Sequence, residues 1–185
     1  MKKIGILGLS FALMLTGAVL SGCGSTNDVK PASESSGSAV AAAKIIEPET
    51  LITKADVKAI TGVDFGDGEK KDTPEVGMKL CVYSKDANLV QIGIIQIPFF
   101  KKENLEAGQN PKTIYENTKK LFTDATKIEG VGDDNFYAKP LFYVLKGDCY
   151  ITVSSRIDGY TGTKEELLKK LAEKALENLA VQAGK

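Results

Sequence analysis

The feature that most limits what this chain can fold into is an apolar run at its start that a globular core could not use. Lys2 and Lys3 give a positive beginning, and the 17 residues from Ile4 to Leu20 carry no charge. Positive start, apolar middle and an exit through small Ser21 and Gly22 form the layout of an export signal. A membrane-spanning helix is the competing reading, since the run is near the lower limit for crossing a bilayer. The stretch from Gly24 to about Lys44 is rich in Ser, Gly and Ala and has no aromatic residue. It has too little to bury to offset the entropy of ordering, so a flexible tether with a reach of ~25–30 Å is expected. Of 185 residues, about 135 then remain, enough for one ordinary domain. The expected organisation is a signal over 1–22, a linker over 23–46 and a single domain over 47–182.

The tetrapeptide Leu20-Ser21-Gly22-Cys23 directly follows the apolar run and resembles the lipobox of bacterial lipoproteins. The resemblance implies a diacylglyceryl group on the Cys23 thiol and cleavage just before it. Cys23 would then be the first residue of the mature protein, anchored to the extracytoplasmic face of the cell membrane. Two palmitate-like chains anchor stably where one would be marginal, at ~0.8 kcal/mol per buried CH₂. The residue after Cys23 is Gly24, not the Asp that would hint at inner-membrane retention. A tethered domain suits a protein or cell-wall partner outside the membrane better than a lipid substrate within it.

Composition narrows the chemistry. Charge is balanced, with 24 basic and 24 acidic residues, and Arg156 is the only arginine. Balanced charge gives no electrostatic case for nucleic acid, and base reading leans on arginine, so no nucleic-acid partner is expected. Histidine is absent, which removes the usual general base near neutral pH and the commonest metal ligand. No Ser-x-x-Lys dyad or Gly-x-Ser-x-Gly elbow is present either. No cofactor and no metal site are expected.

Within the domain, Thr53 with Asp56 reads as a capping box for a helix carrying Val57 and Ile60, closed at Gly62. Leu80–Tyr83 and Leu89–Ile97 read as a hairpin around Lys85-Asp86-Ala87, with Val82 facing Val90 and Leu80 facing Ile92. Asn110-Pro111 opens a helix through Ile114, Leu121 and Phe122. A second hairpin pairs Val144 with Ile151 and Phe142 with Val153 across Gly147-Asp148. The last helix is capped at Thr163 with Glu166, and Leu168, Leu171, Ala172, Ala175 and Leu179 form its apolar stripe. Glu165 with Lys169 and Glu166 with Lys170 are expected as pairs on its outer face. The sum is an α+β fold, an antiparallel sheet with packed helices, and an α/β/α sandwich if both faces are covered.

The lipobox, the segment Leu51–Val57, the strand Cys81-Val82-Tyr83-Ser84 and Gly130-Val131-Gly132-Asp133 together resemble small cell-surface lipoproteins of Gram-positive bacteria. Some of that group are thought to share a Mog1p/PsbP-like α/β/α sandwich. The resemblance implies an address and a fold, and no functional residue besides Cys23.

Two further readings stay open. Cys81 and Cys149 could bridge in a compartment that permits disulfides, or remain as buried free thiols. The hairpin register above sets Cys81 beside Gln91 and Cys149 on an apolar face, which opposes a bridge unless helices cover both sides or strands 80–83 and 149–153 are neighbours in another register. Asp64 and Asp67, and Asp133, Asp134 and Asn135, hold enough oxygen to suggest a hard cation, but both stretches read as solvated turns. The function expected from this inventory is a non-catalytic binding or interaction module. A small-molecule or ion-binding accessory domain is the alternative, and an enzyme based on carboxylates or a cysteine comes after it.

Overall fold

The computed structural model describes residues 44–183. The signal, Cys23 and most of the tether lie outside the described residues. Helices are α1 (Pro48–Leu51), α2 (Lys54–Thr61), α3 (Lys102–Glu106), α4 (Pro111–Lys119) and α5 (Lys164–Ala183). Strands are β1 (Glu69–Thr73), β2 (Met78–Lys85), β3 (Asn88–Gln96), β4 (Asp134–Ala138), β5 (Leu141–Lys146) and β6 (Cys149–Arg156). They form one six-stranded sheet in the order β1-β2-β3-β6-β5-β4, and every neighbouring pair is antiparallel. Two three-stranded meanders thus meet along β3 and β6.

The local signals explain the helices. Thr53 and Asp56 exchange bonds as a full capping box, and Gly62 closes α2 at φ 74°. Thr163 and Glu166 do the same for α5, with Thr163 N–H donating to Glu166 at 2.9 Å. The Asn110 side chain accepts from Thr113 N–H at 2.9 Å at the start of α4. That helix ends at Lys119, so Leu121 is not on its buried face and stands 78 % exposed. The outer charges of α5 also pair differently from expectation, as Lys169 with Glu173 and Lys174 with Glu177.

Helices cover both faces of the sheet. On the first, α1, α2 and α5 enclose an aliphatic core of Leu51, Val57, Leu168, Leu171 and Ala175 against Val90, Ile92, Ile94, Val144, Ile151 and Val153. Here Asn178 donates to the Leu51 carbonyl at 3.0 Å and Tyr83 to the Ile52 carbonyl at 2.8 Å. Buried Gln96 bonds both the N–H and the C=O of Ile46, so the incoming chain is clasped to the sheet. On the second face, α4 seats on β5 and β6 over Tyr115, Phe136, Tyr143 and Tyr150. Phe136 and Tyr143 stack with ring centres 4.4 Å apart.

The β5–β6 hairpin has the expected register, Val144 opposite Ile151 and Phe142 opposite Val153. The β2–β3 hairpin is shifted by one residue. Its turn is Asp86-Ala87, with Asp86 at φ 53°, so Tyr83 faces Val90 and Cys81 faces Ile92. Because side chains alternate along a strand, this slip sends Leu80 and Val82 to the opposite face. Two strands were not anticipated. β1, Glu-Lys-Lys-Asp-Thr, has no apolar alternation, and β4 directly follows a turn rich in Gly and Asp.

Candidate functional site

The register decides the cysteine question. Cys81 and Cys149 both turn toward the aliphatic core, which removes the objection that they lie on opposite sides of the sheet. Yet Cys81 lines up through Ile92 with Val153, and Cys149 lies four residues along β6 from Val153. Two strand spacings of ~4.8 Å and four rises of ~3.3 Å separate their Cα atoms by ~16 Å, far beyond disulfide reach. Both are free thiols. Burial pushes each thiol up, so neither is poised as a thiolate nucleophile. Gly68 crosses directly over Cys81, where a Cβ would fall 2.2 Å from the sulfur. Cys23, the expected lipidation site, lies outside the described residues.

The acids suspected as cation ligands are engaged by lysines. Asp64 pairs with Lys58 at 3.2 Å and Asp67 with Lys54 at 3.1 Å. Asp133 accepts from Gly147 N–H at 2.7 Å and from Lys146 at 2.6 Å, which together hold its carboxyl below the usual range. Burial, the largest single influence, would raise Asp134, but the Lys119 ammonium at 2.6 Å together with the nearby Tyr115 hydroxyl and the Asn135 N–H outweighs it and leaves that carboxyl lowered too. Buried Asn135 spends its amide on the Ile128 and Val131 backbone. Among the described residues, no three of His, Cys, Asp and Glu gather as metal ligands would.

What the structure does bring together is a patch that the shifted register creates. Leu80, Val82 and Leu89 are half-buried and belong to neither core cluster. They lie on the face that α4 covers only over β5 and β6; among the described residues no helix makes a comparable seat over β2 and β3 there. Gln91 and Thr152, also half-buried, complete the patch. Gly93 sits between them, and a Cβ there would fall 2.6 Å from Thr152 Oγ1 and 3.3 Å from a Leu80 methyl. Its missing side chain lets these neighbours lie flat across β3. Sequence reasoning missed the patch because it expected Leu80 and Val82 inside; the legible clue was that Asp86-Ala87 suffices as a two-residue turn.

A second feature lies on the first face, where β6 leads into the loop before α5. A cavity of about 230 Å³ opens there beside Ser155, Tyr160 and Leu167. No helix among the described residues is long and apolar enough to cross a membrane. No protein-family model, no curated protein and no solved structure matches this chain.

Proposed function

We propose that this chain is a lipid-anchored extracytoplasmic protein whose domain works by contact with a protein or cell-wall partner. The observation that carries the contact reading is the half of the second sheet face over which no helix among the described residues seats. Leu80, Val82 and Leu89 there are partly in solvent, although both buried cores are built without them. Apolar side chains clustered on a rigid sheet gain from a partner that removes the rest of their surface from water. The anchor rests on the export-signal layout and the lipobox resemblance at Cys23.

Two measurements test the two parts. Mass spectrometry of the membrane-extracted protein should find no peptide upstream of Cys23 and a lipid-sized mass on it; an intact N-terminus or an unmodified thiol overturns the anchor. Partner capture from native membranes by the full chain should be lost in Leu80→Lys/Val82→Lys and kept in a surface control such as Lys112→Ala. Equal capture by both variants overturns the contact face. Turnover of a wall glycan, peptide or ester, abolished by one carboxylate substitution that leaves the fold intact, overturns the non-catalytic reading altogether.

A further inference from the structure

The cavity at the end of β6 has a polar floor that nothing among the described residues satisfies. Ser155 is 4 % exposed, and its hydroxyl is buried without a hydrogen-bond partner. Strand alternation points it the same way as Ile151 and Val153, toward α5. An unpaired buried hydroxyl is costly, and native structures rarely leave one without a reason.

The walls and the opening define what would relieve it. Ile157, Tyr160 and Leu167 give the cavity apolar sides. Arg156 and Lys164 are its charged lining residues, and no carboxylate residue lines it. Neither cation has a salt bridge among the described residues. Of the nearby acids of α5, Glu166 comes closest: its carboxylate lies beside Gly162 of the lining and is engaged in capping the helix. Glu166 accepts from Thr163 N–H at 2.9 Å, and Glu165 lines a separate cavity with Tyr137 and Lys139. The opening also lies at the N-terminus of α5, where Glu165 and Glu166 in the first turn already offset the helix dipole, so Lys164 is the cation left to meet an anion. Arg156 is tied by its Nε to the Ala87 carbonyl at 2.8 Å and starts from the opposite face of β6. Its charge therefore acts at the rim, leaving Lys164 and Ser155 as the contacting donors.

We propose that this cavity binds the carboxylate of a short aliphatic ligand, with Lys164 pairing the charge and Ser155 donating from the floor. At about 230 Å³ it is smaller than the ~300–1,000 Å³ of drug-sized sites, which limits the ligand to a small acid or the last residue of a peptide. The site is independent of the uncovered sheet face, and either can fail alone.

The test is calorimetric titration of the full chain in detergent with N-acetyl-leucine and a tripeptide ending in leucine, each as free acid and as amide. At least one acid should bind saturably, about tenfold or more tighter than its amide, a difference of ~1.4 kcal/mol. Binding of the small acid alone assigns a free metabolite-like ligand, and binding of the peptide acid alone assigns a peptide C-terminus. Lys164→Gln, on an exposed first turn, should abolish the preference for acid without changing the melting temperature. Equal binding of acid and amide, no saturable binding by any of the four, or a preference that survives Lys164→Gln overturns the proposal.

Discussion

On the face under α1, α2 and α5, branched aliphatic side chains fill the space between sheet and helices, and Leu51, Val57, Leu168, Leu171 and Val153 have no solvent exposure. On the opposite face the packing is aromatic and local. Tyr115, Phe136, Tyr143 and Tyr150 form a chain of ring contacts under α4, and the sheet beyond them is left partly open. The aliphatic face is contributed by helices far apart in the sequence, so its closure ties the first and last elements together. The aromatic face is closed over only one meander. A domain divided this way can vary the residues on its open half without disturbing the core that holds it folded.

That contrast can be broken most directly at Leu171. Leu171→Ala removes a fully buried side chain and should cost ~2–5 kcal/mol in urea unfolding. A loss under ~1 kcal/mol would mean that the aliphatic face does not carry the fold. Alkali probes the other side. Burial pushes the Tyr115, Tyr143 and Tyr150 phenols above their ordinary value of 10.0. A raised folded value means that the folded state holds its proton longer than the unfolded chain. This contribution is therefore complete below about pH 10 and is lost as pH rises toward the folded values. Tyr150→Phe should flatten the alkaline decline in stability; an unchanged slope would show that the aromatic face does not sense the transition. Phe122→Leu, which loses ring contacts to Phe136 and Tyr143, should cost ~1 kcal/mol. Leu80→Lys should change the unfolding free energy by no more than ~0.5 kcal/mol, and a larger cost would place Leu80 in the core after all.

Much of this architecture was legible because its signals are local. Capping boxes at Thr53 and Thr163 and the Asn110-Pro111 pair each place the start of a helix within one or two residues, and the apolar stripe of α5 marks its buried side, although α4 stops at Lys119, short of the expected Phe122. The β5–β6 hairpin was legible because Gly147 marks its turn. The β2–β3 hairpin lacks such a glycine, and with Asp86 supplying the positive φ its register could not be fixed by pattern alone. That single residue moved Leu80 and Val82 from the expected core to the open face and brought Cys81 to the same side as Cys149. The edge strands β1 and β4 were illegible for a different reason. Their pairing comes from a neighbour's hydrogen bonds and not from their own apolar alternation. The cavity near Ser155 arises where β6, its following loop and α5 converge, a juxtaposition that no spacing in the chain encodes.

The makeup of β1 matters once many copies share one surface. An open sheet ends in two rims of unpaired backbone, each a template on which another molecule could add a strand. Chains held by the proposed anchor would diffuse in a plane, where edge-to-edge encounters are frequent. Along β1, residues Glu69, Lys70, Lys71 and Asp72 are all exposed, and such a charged border discourages pairing with an incoming strand. At the other rim, Thr126 bridges Tyr137 through bonds of 3.0 and 2.7 Å, so part of that backbone is already occupied. On a membrane, as the proposed anchor implies, the two borders would let neighbouring molecules crowd together without zipping into fibrils.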